Sequence, residues 1–258
     1  MGSNAGFNKE TTLIKSINNK SLKEMDSSSV ILLKKLFPNF NLQEIFFSCY
    51  KNEGKGLEKK TDITIEAGNL KKINISLKSG SNNSVHQENI FSFLSFLKES
   101  LPNFNESDKN LILKFHWCDG TLDNSGLVIN RSSKKDFIKK FCIDYDLYSA
   151  FFGTIKDLIF DRVMVGSINS PEYLVYANSH GEYLLSSMTR IKKKHLDHKS
   201  EWGLFTLQNC WACLKGQDHG HESHVCDYSC PKIKPKAQKH RQDIQFKWSD
   251  IENFLLNE

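Results

Sequence analysis

The chain reads as an α/β (α+β) protein: a mixed central sheet flanked by helices, with a Cys/His-rich insert near the C-terminal end. Three observations predict this. Two short segments, Lys60–Glu66 and Lys72–Leu77, alternate apolar and polar residues with period two, and the turn residues Ala67-Gly68-Asn69 join them. Helical periodicity fills Ser27–Phe37 and the run from Ile90 to Leu101. Four cysteines and three histidines fall between Cys210 and Cys230. The chain has 258 residues, 39% hydrophobic and 11% aromatic, enough to bury a core. No apolar run approaches the roughly 18 residues that a membrane span needs.

The elements follow in order. Ser27–Phe37 is a helix with Ile31, Leu32, Leu33 and Leu36 apolar, and a second helix is expected over Leu42–Tyr50. The glycine-containing segment Lys51–Gly56 is a turn, after which come the two strands. The polar run Ser79–Asn83 leads to Ser84-x-x-Gln87, a capping box that is expected to open a helix carrying Ile90, Phe91, Phe93, Leu94, Phe96, Leu97 and Leu101. Asn110–Trp117 is apolar enough to be a central strand. Ser133 is expected to cap a helix reaching Asp144, and a further helix spans Leu147–Phe160. Short strands are expected at Tyr173–Ala177, Gly181–Ser186, Leu204–Gln208 and Asp243–Trp248, then a last helix with the capping box Ser249-x-x-Glu252. Residues 1–190 thus form a core with N-terminal helices, and 191–258 a basic C-terminal region integrated with it.

The chemistry concentrates on the two strands. Asp62 stands at the start of the first, and Ser76 and Lys78 share a face of the second because i and i+2 point the same way. Glu88, near the start of the expected helix, adds a second acid. An acid at a strand end, a lysine on the adjacent strand and another acid nearby suit a divalent cation that cuts phosphodiesters. Carboxylates hold the cation, and the lysine orients or deprotonates the attacking water. Mg²⁺ prefers few protein ligands and several waters.

With Asp62, Ser76-Leu77-Lys78 and Glu88 in strand, turn, strand, helix order, segment 60–120 resembles the PD-(D/E)xK nuclease superfamily, the fold of many type II restriction endonucleases. Thr61-Asp62 stands for Pro-Asp and Ser76-Leu77-Lys78 for (D/E)-x-K, a variant in which a glutamate on the next helix replaces the missing carboxylate. The resemblance implies a restriction-endonuclease-like sheet and Mg²⁺-dependent cleavage of double-stranded DNA, in defence against foreign DNA. It implies Asp62 and Glu88 as Mg²⁺ ligands, Lys78 positioning water and Ser76 near a metal-bound water. Many enzymes of that group are homodimers, each chain cutting one strand.

Other residues carry lesser signals. Asp119 and Asp123 are spaced like loop ligands for a hard cation, or form a polar turn with Asx-type bonds. His116 reads as a core histidine. The absence of an export signal leads to the expectation of a cytoplasmic, reducing setting. There Cys210-x-x-Cys213 and Cys226-x-x-x-Cys230 supply four thiolates for a structural Zn²⁺, with His221 or His224 as alternates; the competing readings are a loop of free thiols and a redox CxxC. The net charge is +5 and the densest basic runs are Arg190–His195 and Lys232–Lys247. Lys192, Lys193, Lys194, Lys239 and Arg241 are the expected contacts to DNA phosphates, and a solvated basic face is the bland alternative. The rival to a nuclease is a non-enzymatic, zinc-containing nucleic-acid-binding protein. A zinc-stabilised protein-interaction module would need no basic face.

Overall fold

The computed structural model describes residues 5–52, 60–80, 84–117, 120–123, 125, 138–208 and 242–257. The expected zinc ligands Cys210, Cys213, Cys226 and Cys230, their alternates His221 and His224, the phosphate contacts Lys239 and Arg241, and Asp119 lie outside these residues.

The chain divides into two compact units. The first draws on Ser3–Val85, Asp157–Asp197 and Trp248–Glu258, the second on His86–Lys156 and His198–Lys247. The first unit contains helices α1 (Ala5–Ile17) and α2 (Ser27–Leu36), strands β1 (Phe47–Lys51), β2 (Ile63–Ala67) and β3 (Lys71–Ser79), and, later in the chain, β5 (Tyr173–Ala177) and β6 (Tyr183–Ser187). The strands form one sheet in the order β1-β2-β3-β5-β6. It is mixed: β3 and β5 run parallel, and the other neighbours antiparallel. The hairpin between β2 and β3 closes through Gly68 at φ 53, a left-handed conformation that favours glycine.

Alternation gives this sheet two unlike faces. Phe47, Cys49, Ile63, Ile65, Ala67, Ile73, Ile75, Leu77, Val175 and Ala177 form one buried cluster with Leu13 and Ile17 of α1 and Leu32, Leu33 and Leu36 of α2. Burial in this cluster pushes the Cys49 thiol up to about 12, so it stays protonated. The opposite face carries Thr64, Asn74, Ser76 and Lys78. Asn52 donates to Thr64 at 2.6 Å, and Thr64 donates to Asn74 at 2.8 Å. Slipping one strand by a residue would exchange the two sets, so the core fixes the register of the polar face.

The second unit holds a three-stranded sheet, β4 (Ser84–Asn89), β8 (Asp243–Lys247) and β7 (Thr206–Gln208), in that spatial order. Its helices are α3 (Ile90–Ser100), α4 (Glu106–Trp117) and α5 (Cys142–Thr154). Its core is aromatic. Phe93 stacks on Phe152 at 6.4 Å, Phe93 meets Phe246 at 5.8 Å, and Trp202 lies 4.0 Å from Phe152. After α5 come the short helix α6 (Lys156–Phe160) and a π turn over Asp161–Val165. Helix α7 (Met188–Asp197) follows β6, and α8 (Ile251–Leu256) ends the described chain. No described helix is long and apolar enough to cross a membrane.

The strands expected around residues 60–66, 72–77, 173–177, 181–186 and 243–248 are present. Three expectations are corrected. The helix expected over Leu42–Tyr50 is absent: residues 42–46 are turn and coil, and 47–51 form β1, because extended backbone puts Phe47 and Cys49 in the core and pairs five residues with β2. Ser84 opens a strand. The helix begins at Ile90, where Asn89 caps it by accepting from the Phe91 amide at 2.9 Å. Asn110–Trp117 belongs to α4, not to a central strand. Asn105 accepts from the amides of Ser107 and Asp108 while Asp108 accepts from that of Asn105, and this reciprocal cap starts a helix whose buried face imitates a strand's apolar run. The last helix is preceded by Asp250, whose side chain makes no cap bond.

Helix α2 offers a pH test. Asp26 caps it, accepting from the Ser29 amide and hydroxyl, each at 2.8 Å. Partial burial opposes ionisation, but these bonds outweigh it and hold the carboxyl below its ordinary value of 3.8. The cap therefore contributes fully above that value and is lost as pH falls through the lower folded one. Asp26→Ala is expected to cost about 1 kcal/mol at pH 7. In urea titrations the gap from the unchanged protein should close as the pH drops below the ordinary aspartate range.

Candidate active site

Asp62 lies one residue before β2, at the edge of the polar face. Its main chain is held on both sides: its amide donates to the Ile75 carbonyl at 2.9 Å, and its carbonyl accepts from the Asn52 amide at 3.1 Å. Extending the β2–β3 register by one pair sets Asp62 opposite Ser76. Its carboxylate then reaches across to β3. Oδ2 accepts from the Leu77 amide at 2.7 Å and from the Ser76 hydroxyl at 3.1 Å. Lys78 Nζ stands 3.6 Å from the same oxygen, an ion pair too long for a hydrogen bond.

All three contacts fall on Oδ2. Among the described residues, Oδ1 accepts no hydrogen bond. The side chains of Asp62 and Lys78 retain 28% and 23% of their exposure, so water and a small cation can reach both. Ser76 is buried, and its hydroxyl is directed to Asp62. The structure thus brings together three of the four residues singled out from the sequence.

The fourth, Glu88, belongs to the second unit. It sits on β4, not on a helix, and its Oε1 lies 2.8 Å from His86 Nε2 with both side chains buried. Positions i and i+2 of a strand share a face, which explains the pairing, and His86 also stacks on Phe246 at 6.2 Å. Among the described residues, no three His, Cys, Asp or Glu side chains are grouped to hold a metal. Asp62 with one unengaged carboxylate oxygen is a donor set that fits Mg²⁺, which keeps most of its waters, better than metals that need several protein ligands.

Two further neighbours of the cluster escape sequence reasoning. Tyr176 of β5 is in register with Lys78. Its hydroxyl lies 3.3 Å from the Gly80 carbonyl and 3.2 Å from Glu252 Oε2 of α8. Burial first, and the Glu252 carboxylate second, hold this phenol above its ordinary value. Thr61, next to Asp62, donates its hydroxyl to the Asn169 carbonyl. These partners lie about a hundred residues apart in the chain, and no spacing signal announces them.

The basic run on α7 divides by face. Met188, Ile191 and His195 are buried. Lys192 lies 2.5 Å from Asp157 and 2.9 Å from Asp161. Burial disfavours its charge, but the two carboxylates outweigh that and raise its pKa. Lys193 and Lys194 are exposed and pair with none of the described acids, and Arg190 is exposed beside them. Asp123 accepts from the Ser125 amide at 3.0 Å, the bond of an Asx turn, and His116 is buried near the end of α4.

The architecture is similar to that of a solved restriction endonuclease. The crystal structure of restriction endonuclease MspI in complex with its cognate DNA matches it with a TM-score of 0.53, covering 94% of this chain and 88% of that one. Sequence identity is 14%, so the likeness establishes architecture and leaves side-chain roles to geometry. The mixed sheet flanked by helices that the sequence predicts is thereby borne out. No protein-family model and no curated protein sequence matches the chain.

Because Asp62 Oδ2 is the acceptor for a buried strand amide, removing it has a structural cost. Asp62→Ala is expected to destabilise the protein by about 1–3 kcal/mol, the cost of unsatisfied donors. Asp62→Asn, which keeps a carbonyl acceptor, should lose less than half as much. Chemical denaturation midpoints check the order, and equal losses would show that the cross-strand bond contributes nothing.

Proposed function

We propose that this protein is a Mg²⁺-dependent endonuclease that hydrolyses phosphodiester bonds of double-stranded DNA, and that it acts as a type II restriction enzyme against foreign DNA. The observation that carries the reading is the Asp62–Ser76–Lys78 cluster, with one carboxylate oxygen unengaged among the described residues and an ammonium beside the other. The likeness in fold to an endonuclease solved on its cognate DNA supports DNA as the partner.

Asp62 Oδ1 would hold the cation. Mg²⁺ there would supply a Lewis acid for the phosphate oxygens and lower the pKa of a bound water. Lys78, held by Asp62 on the same face, orients the attacking water and offsets charge building on the phosphate. Ser76 and the Leu77 amide fix the Asp62 carboxylate through Oδ2, which leaves Oδ1 without a hydrogen bond among the described residues. The assignment of Glu88 as a second Mg²⁺ ligand rests on the sequence pattern alone. The same holds for the structural Zn²⁺ at Cys210, Cys213, Cys226 and Cys230, for a homodimer and for a cytoplasmic location.

Purified protein is expected to linearise or nick plasmid DNA with Mg²⁺ and to stop on chelation. Asp62→Asn and Lys78→Met should each lower cleavage at least about a hundredfold. Gel shifts should show that Lys78→Met still binds DNA. Full cleavage by either variant would remove the assignment.

DNA contact by α7 is assigned to Lys193 and Lys194, and Lys192 is instead held by its two aspartates. Neutralising Lys193 and Lys194 together should reduce the slope of log affinity against log salt by about two. Lys192→Gln should leave the slope unchanged. An equal effect of Lys192→Gln on the slope would contradict the division.

A further inference from the structure

Residues 166–172 form a strap that bonds, at Asn169, to the residue preceding the proposed metal-binding acid. The strap leaves the π turn at Gly166 (φ 69) and passes Asn169, which adopts φ 47. It is fixed at its β5 end by three bonds. The Glu172 amide donates to the Asn74 carbonyl at 2.8 Å, Glu172 Oε1 accepts from the Asn74 amide at 3.4 Å, and the Met188 amide donates to the Glu172 carbonyl at 2.9 Å. Nearer its middle, the Asn169 carbonyl accepts the Thr61 hydroxyl. Since β3 lies between β2 and β5, the strap spans β3 to reach the residue that precedes Asp62.

Thr61 is 3% exposed, so its hydroxyl needs this acceptor. Asp62 lies ahead of the first regular pair of β2, Ile63 with Ile75. Main-chain bonds to Ile75 and Asn52 tether it, and its carboxylate must still aim Oδ2 at Leu77. Residue 61 leads directly into Asp62, and the Thr61 hydroxyl ties that backbone to the strap. Asn169 tolerates the left-handed conformation that points its carbonyl at Thr61; a residue such as alanine does so at a cost.

We propose that Thr61 and Asn169 are positioning residues: their bond locks the backbone entering Asp62 and so presets the carboxylate for Mg²⁺. This rests on the nuclease reading. A merely satisfied threonine hydroxyl would contribute stability alone, and the two roles separate experimentally.

The test uses the full chain with Thr61→Val, which keeps the shape and loses the hydroxyl, Thr61→Ser, which keeps the hydroxyl, and Asn169→Ala against Asn169→Gly. Without metal, hydrogen exchange of the Leu77 amide should quicken about fivefold to tenfold in Thr61→Val, while the Ile65 and Ile73 amides stay as they were. With Mg²⁺, the concentration giving half-maximal plasmid cleavage should rise at least about tenfold. Asn169→Ala should follow Thr61→Val, and Thr61→Ser and Asn169→Gly should stay within about twofold of the unchanged protein in both measurements. Unchanged Leu77 exchange or an unchanged Mg²⁺ titration in Thr61→Val overturns the proposal. So does exchange that quickens equally at Ile65, Ile73 and Leu77, which marks a structural role only. If the unchanged protein cuts DNA at no Mg²⁺ concentration, the nuclease reading itself fails, and that is seen before any variant is made.

Discussion

The bond from the Leu77 amide to the Asp62 carboxylate is the constraint on which the site depends. At the start of β2 the ladder to β3 is closed by a side chain where a main-chain carbonyl would otherwise serve. That substitution has two effects. It satisfies a donor next to the buried face, and it engages one carboxylate oxygen while the other accepts no hydrogen bond among the described residues. Ser76 and Lys78 add to the same oxygen, the first by a hydrogen bond and the second by charge. A carboxylate held in this way keeps its orientation without a metal, which is the preorganisation that metal-assisted chemistry requires.

The core stands behind this arrangement. Ile63, Ile65, Ile73, Ile75 and Leu77 pack against α1 and α2, and their alternation leaves Thr64, Asn74, Ser76 and Lys78 on the reverse side. A displaced register would turn the polar set into the apolar core, so the apolar face that stabilises the unit also keeps Asp62 opposite Ser76. The parallel pairing of β3 with β5 then adds Tyr176 beside Lys78 and brings the strap to Thr61. Charge on α7 is sorted by the same means. Burial of Met188, Ile191 and His195 sets the rotation of the helix, which turns Lys192 to Asp157 and Asp161 and leaves Lys193 and Lys194 in solvent.

Some elements were readable because local signal and tertiary outcome agree. The β2–β3 hairpin has alternation, a glycine at the position that needs positive φ, and polar residues on one side. Others misled because local signal is degenerate. The apolar run at Asn110–Trp117 fits a buried strand or a buried helix, and the reciprocal cap between Asn105 and Asp108 decided for the helix. Ser84-x-x-Gln87 has the form of a capping box, yet pairing within the second sheet made it a strand. Phe47 and Cys49 joined β1 because β2 offered them partners, a non-local gain that periodicity does not report.

The sequence by itself determined the alternation of β2 and β3, and with it the side of the sheet on which Ser76 and Lys78 stand and the proximity of Asp62 to both. A hairpin joins neighbours in the chain, so its geometry follows from turn and period. Tertiary structure decided which Asp62 oxygen is engaged, that Glu88 is bonded to His86 on a strand, that Lys192 is neutralised by aspartates, and that Tyr176 and Asn169 flank the site. Each of these depends on which distant strand or helix packs alongside, and that is set by the burial of the whole core, which no local spacing encodes.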